Sequence, residues 1–176
     1  MACTFSFHKP RRRTKMIQHK SRSLLAVFLG VAMLFVGNAI ANEGYGKQKV
    51  VYHINYDNPK AQAGALRNVQ NHINAVGQES LELRIVMHGK GLSLLLEPDA
   101  VENTKLKHGN ATDEMQAKIS GLKAQGIVFQ VCANTLRGKK ISYEDDLYDV
   151  SKADIVPSGV AELARLQAMG YAYIKP

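Results

Sequence analysis

The segment Gly126-Ile127-Val128-Phe129-Gln130-Val131-Cys132-Ala133-Asn134-Thr135-Leu136-Arg137 decides how the chain is read. A glycine stops one helix, a short apolar strand follows, and a cysteine stands at the strand's carboxyl end, where Ala133 to Arg137 can open the next helix. Upstream, Met115, Ile119 and Leu122 mark the helix that Gly126 ends, and Thr112-Asp113-Glu114 opens it with acids at the positive end of the dipole. The same punctuation recurs on either side. Leu66, Val69, Ile73 and Val76 repeat at helical spacing after Asn58-Pro59 and stop at Gly77; Leu81, Leu83, Ile85 and Met87 then alternate as a strand. Val160, Leu163, Leu166 and Met169 follow Pro157-Ser158 and stop at Gly170, before a last strand over 171–174. Further strands are expected over 49–55 and 154–156, an apolar segment over 92–96, and an irregular connection over 98–111. Alternating β and α with largely apolar strands predicts a doubly wound α/β fold, its mostly parallel sheet flanked by helices on both faces.

The first 41 residues read as a secretory signal, with 42–48 as a tether and 49–176 as the folded domain. Arg11, Arg12, Arg13, Lys15, Lys20 and Arg22 form the basic part, Leu24 to Val36 the apolar part, and Ala39-Ile40-Ala41 the small-x-small site, which places cleavage after Ala41. A retained anchor is the competing reading, but a spanning helix needs about 20 apolar residues and this run is shorter. Met16 competes with Met1 as the start, since it would leave a leader of ordinary length. The expected location is therefore the periplasm, with no membrane association after cleavage.

Export changes the charge argument. Seven of the 23 basic residues lie in the leader, which leaves 16 against 15 acids, a net charge near +1. A nucleic-acid partner is excluded on this ground, because no basic footprint remains in the folded part. Cys3 leaves with the leader, so Cys132 is the mature chain's one cysteine and cannot form an intramolecular disulfide.

Ligands of open α/β sheets bind beyond the carboxyl ends of the strands. Topology alone thus gathers His53 and Asn55, the turn His88-Gly89-Lys90-Gly91, the stretch Cys132 to Arg137, and Pro157-Ser158 at one edge. Cys132 is the candidate nucleophile: a helix N-terminus favours a thiolate, Arg137 can add charge, and a thiolate can attack a sulfur donor, carry a persulfide or form a mixed disulfide. The bland alternative is a packed thiol, since free cysteine is among the most buried residue types. Gly89 and Gly91 would let backbone approach a ligand ahead of a helix N-terminus, and His88 could act as base or hydrogen-bond donor near the thiol; a plain turn with a satisfied histidine is the alternative. His72 is expected at the surface or an edge. Glu144, Asp145, Asp146 and Asp149 lack the spacing of a calcium loop and read as a solvated loop. No metal and no cofactor is indicated.

The order Val131-Cys132-Ala133-Asn134-Thr135-Leu136, then Val156-Pro157-Ser158-Gly159-Val160 with Glu162-Leu163 and Leu166-Gln167, resembles the DsrE/DsrF-like family. Tyr52-His53-Ile54-Asn55 and the His88-Gly89-x-Gly91 turn look like its exported branch. The resemblance implies a small three-layer α/β subunit assembling as trimers or hexamers. It also implies a cysteine, matched here by Cys132, that takes sulfur as a persulfide from a donor protein and passes it to an acceptor. His88, Asn134 and Arg137 match the local pattern and are expected as supporting residues; position at the strand ends makes His53, Asn55, Gly89, Gly91 and Ser158 the expected ligand-binding ones. Relays of this family are cytoplasmic, whereas this chain carries a leader. A binding module for a small anion or thiol, and a structural oligomer with an inert cysteine, therefore stay open beside a sulfurtransferase-like carrier.

Overall fold

The computed structural model describes residues 44–176; the expected leader and cleavage site, Met16 and Cys3 lie outside the described residues. Five strands form one all-parallel sheet: β1 (Gln48–Ile54), β2 (Leu81–Met87), β3 (Val128–Cys132), β4 (Ile155–Val156) and β5 (Ala172–Ile174). Four α-helices connect them: α1 (Pro59–Val76), α2 (Asp113–Ala124), α3 (Ala133–Lys139) and α4 (Gly159–Ala168). Local chemistry sets the boundaries. Asn58 caps α1, its side chain accepting from the Ala61 N–H at 2.9 Å, with Pro59 in the first turn. Gly77, Gly126 and Gly170 follow three of the helices at φ of 89°, 84° and 87°, a left-handed backbone that only glycine adopts freely.

Strand order is β4-β3-β2-β1-β5. The chain steps one way from β1 to β4, so right-handed crossovers lay α1, α2 and α3 on one face. It then jumps back across three strands to β5, and the reversal puts α4 on the other face. Burial follows this division. Tyr52, Ile54, Ile85, Met87, Phe129 and Val131 pack with Leu66, Val69, Ile119, Leu122 and Leu136 in the larger core. Val51 and Val86 pack with Leu163, Leu166 and Tyr171 in the smaller one. Each fully buried aliphatic or aromatic side chain contributes roughly 1.5–3 kcal/mol, so the first layer dominates stability. A single helix cannot cover the second face, and Val128 and Tyr173 stay 38% and 42% exposed. Gln130 Nε2 donates to Glu162 Oε1 at 2.8 Å and Arg165 holds the same carboxylate, which fixes α4 above β3.

Several expectations shift. No regular helix follows the His88 turn: Gly89–Leu94 is a 3₁₀ segment whose Leu92 and Leu94 are fully buried, so no α-helical N-terminus lies there. The connection over 98–111 contains a second 3₁₀ segment, Pro98–Asn103. It is tied down by Asn110 Nδ2, which donates to Gln62 Oε1 at 2.8 Å and to the Asp57 carbonyl at 3.0 Å. Asp154 ends a 3₁₀ turn rather than joining β4, because its carboxylate caps Ser151. Asp146 is buried and accepts from the Ser142 N–H at 2.7 Å, so the acidic stretch is not all solvated. His72 bridges α1 to β1, bonded to Gln48 Oε1 at 2.8 Å and to the Tyr52 hydroxyl at 3.3 Å.

Candidate functional site

Two adjacent strands send their chains to opposite faces at one place in this sheet. From β3 the chain enters α3 on the first face, and from β4 it enters α4 on the second. Such a switch point is where open α/β sheets leave a crevice. Cys132 pairs in register with Val156 and ends β3 at that point. The alternation of β3 turns Gln130 and Cys132 toward the α4 face while Phe129 and Val131 enter the larger core.

Register then brings the histidines in. Met87 pairs with Val131, so His88 and Cys132 extend the same two neighbouring strands side by side, about 5 Å apart in the sheet. Gly159, at the start of α4, is pressed between them: a Cβ built there would lie 2.9 Å from His88 Cβ and 3.3 Å from Cys132 Cβ. Glycine is required by proximity here, since its φ is not left-handed. On β1, Val51 and His53 share the α4 face, and His53 Nε2 meets His88 Nε2 at 2.8 Å with the rings stacked at 4.7 Å. Tyr173 of β5 completes the row, its hydroxyl 2.7 Å from His53 Nδ1. Residues from all five strands and their exits thus meet at one edge.

Burial pushes the Cys132 thiol up, and hydrogen bonding more than reverses it: the Gly159 N–H, the Thr135 hydroxyl and the backbone N–H groups of Thr135 and Asn134 hold it below its ordinary value. Cys132 is the N-cap of α3 but closes no strict side-chain capping bond. The sulfur is therefore stabilised by several converging dipoles, with no single aligned donor. The histidines move the opposite way from an imidazolium partner. Burial, then the neighbouring His88 and Lys175 charges, lower His53 to about 4; burial and Lys175 lower His88. At neutral pH both rings are uncharged, and their two facing Nε2 atoms share one hydrogen. The Cys132 thiol is accordingly lowered by N–H donors and a hydroxyl rather than by a neighbouring imidazolium.

The other expected residues fall into distinct places. Gly89 has φ of 57° and its N–H donates to Thr135 Oγ1 at 2.9 Å. Gly91 lies against β1, where a Cβ would come within 2.0 Å of the Ile54 carbonyl oxygen; its lack of a side chain serves packing. Ser158 accepts from the Ala161 N–H and caps α4. Asn55 is half-buried just beyond β1, at the same edge. Arg137 donates to the Asn134 side-chain oxygen, and both are exposed; the thiol is lowered by the Asn134 backbone N–H, and the Arg137 charge is not among its causes. Sequence reasoning passes over Tyr173, Lys175, the Gly159 N–H and the Thr135 hydroxyl. Only strand order places β5 beside β1, although Tyr171 and Tyr173 at period two signal a strand face. A cavity of about 550 Å³ lies at the opposite, amino end of the sheet beside Lys49, Glu82, Arg84 and Val128. No cysteine or histidine lines it, so chemistry and not volume identifies the site. Among the described residues no cluster of three histidine, cysteine or acidic side chains has metal-binding geometry.

Among solved structures, the chain is similar to MTH1491, a protein of unknown function from Methanobacterium thermoautotrophicum. The two share 30% identity over 74% of this chain and all of that one, with a TM-score of 0.59. No curated protein matches. The DsrE/DsrF-like family model matches residues 48–176, the whole of the sheet and its helices, and the chain belongs to the DsrE/DsrF-like family.

Proposed function

We propose that this protein is an exported sulfur carrier in which Cys132 takes up sulfane sulfur as a persulfide. The observation that carries the reading is the placement of Cys132 at the carboxyl end of β3, at the sheet's switch point, with Gly159 pressed between it and His88; hydrogen bonding there lowers the thiol from its ordinary value. A thiolate held this way attacks the terminal sulfur of a polysulfide. One S–S bond forms to Sγ, one S–S bond of the donor breaks, and the donor leaves as a shortened polysulfide anion carrying the electron pair. No separate oxidant is needed, because the sulfane sulfur is itself the electrophile. In the reverse direction an acceptor thiolate attacks the outer sulfur, and the donors that lower the thiol stabilise Cys132 as the leaving group. His88, uncharged and at the end of the strand next to that of Cys132, is the base for an incoming thiol.

Export rests on the leader motif. Assembly into a homo-oligomer fits the second face of the sheet, where Val128, Val160, Met169 and Tyr173 are exposed. The burial of Cys132, only 4% exposed, favours one competing reading, an inert packed thiol. Incubation with polysulfide followed by peptide mass mapping separates the two. Sulfur mass on Cys132 in the folded protein, lost in Cys132→Ser, is the expected result. Alkylation only after unfolding, with no sulfur added, would overturn the carrier reading.

A further inference from the structure

We infer that Tyr173 and His53 are positioning residues that give a proton taken up by His88 its way out of the site. His53 is buried, yet both of its ring nitrogens are bonded: Nδ1 to the Tyr173 hydroxyl at 2.7 Å and Nε2 to His88 Nε2 at 2.8 Å. A neutral imidazole has one hydrogen for two nitrogens, so it donates on one side and accepts on the other. The three side chains are therefore coupled. Either Tyr173 donates to His53 and His53 donates onward to His88, or His88 donates to His53 and His53 donates onward to Tyr173.

The base role of His88 selects the second arrangement. Its Nε2 is engaged by His53, so Nδ1 is the nitrogen left for an incoming thiol, and it must be bare to accept a proton. His88 then carries its hydrogen on Nε2, His53 carries its own on Nδ1, and Tyr173 Oη is the acceptor. When the thiol proton reaches His88 Nδ1, the Nε2 hydrogen passes to His53 Nε2 and the His53 Nδ1 hydrogen passes to Tyr173. The hydroxyl hydrogen leaves to water. One proton crosses, and neither ring ends charged. Neutrality matters here, because burial and the Lys175 charge lower both imidazoles and a proton stored on either is poorly held. His53 is 7% exposed and Tyr173 42%, which puts the exit at the phenol. When His88 later gives up its Nδ1 hydrogen, the reverse shift draws one back from solvent.

The inference rests on reading His88 as the carrier's base, and its test needs no sulfur transfer. Ring nitrogen shifts of the nitrogen-15-labelled protein are read by NMR at neutral pH. In wild type, His88 should show a bare Nδ1 and His53 a bare Nε2, the two rings holding opposite tautomers. In Tyr173→Phe a hydrogen on His53 Nδ1 would be a stranded buried donor, so both rings should switch together. The His88 ratio should move roughly tenfold toward Nδ1–H, although Tyr173 bonds to His53 and not to His88. A merely structural tyrosine predicts lower stability with His88 unmoved, and that result overturns the inference. So does a wild-type His88 that already carries its hydrogen on Nδ1, a measurement that decides the matter even where Tyr173→Phe fails to fold by circular dichroism. Polysulfide loading of Cys132 judges the carrier reading separately, and it can succeed while the tautomers stay fixed.

Discussion

Replacing glycine by alanine at two helical positions should change stability with opposite signs, and the difference measures how tightly the site is packed. Within α2, Gly121 has open space where a Cβ would go and ordinary helical backbone. Alanine there gains helix propensity and restricts the unfolded chain, a stabilisation of about 0.5–1 kcal/mol. At Gly159, the first residue of α4, the same gain is opposed by overlap. A Cβ would stand 2.9 Å from His88 Cβ and 3.3 Å from both Cys132 Cβ and His88 Cδ2. The nearest atom is a Cβ, which moves only with its backbone, so β2 and α4 must separate. Overpacking of this kind typically costs about 1–3 kcal/mol, which leaves a net loss near 1 kcal/mol after the helix gain. Urea unfolding of both variants beside wild type, read as midpoint shifts at constant m, would report the two signs. The Gly159→Ala protein should also show a higher thiol midpoint, because α4 carries the Gly159 N–H away from the sulfur. If both variants were stabilised alike, with the thiol unchanged, the close packing of Gly159, His88 and Cys132 would be refuted.

Gly91→Ala is a harsher test of the same edge: a Cβ 2.0 Å from the Ile54 carbonyl oxygen cannot be accommodated without moving β1, and little folded protein should be recovered in a soluble-expression assay. His53 makes stability pH-dependent with a definite sign. Its folded value near 4 lies below the unfolded value of about 6.5, so its contribution is complete above pH 6.5 and is lost as pH falls toward 4, when the unfolded chain gains a proton that the folded one refuses. Urea midpoints between pH 7 and 4 should fall less steeply in His53→Gln than in wild type, and equal slopes would argue against the buried neutral pair. For the leader, amino-terminal sequencing of the exported protein should begin near Asn42; a full-length cytoplasmic product would contradict export.

The one-dimensional pattern determined the elements and the edge at which chemistry collects. Asn58-Pro59, Gly77, Gly126 and Gly170 mark boundaries through backbone conformation and capping, which depend on near neighbours in the chain. Alternation in Leu81–Met87 marks a strand for the same local reason. In a parallel sheet every strand must end at the same side, so His53, His88 and Cys132 had to share an edge whatever the strand order. Which of them touch was decided only by the tertiary structure. The order β4-β3-β2-β1-β5 sets His88 beside Cys132, makes the β3/β4 boundary the switch point, and carries Tyr173 from the far end of the chain to His53. Strand order is governed by crossover direction and by the burial of two unequal sheet faces, neither of which has a local sequence signature. Gly91, Ser158 and Arg137 have residue types that fit a ligand site equally well, and they divide along the same line. The Ala161 N–H that holds Ser158 and the Asn134 side chain that holds Arg137 lie three residues away, local contacts of a helix, whereas the Ile54 carbonyl against Gly91 is a neighbour that only the packed chain brings within reach.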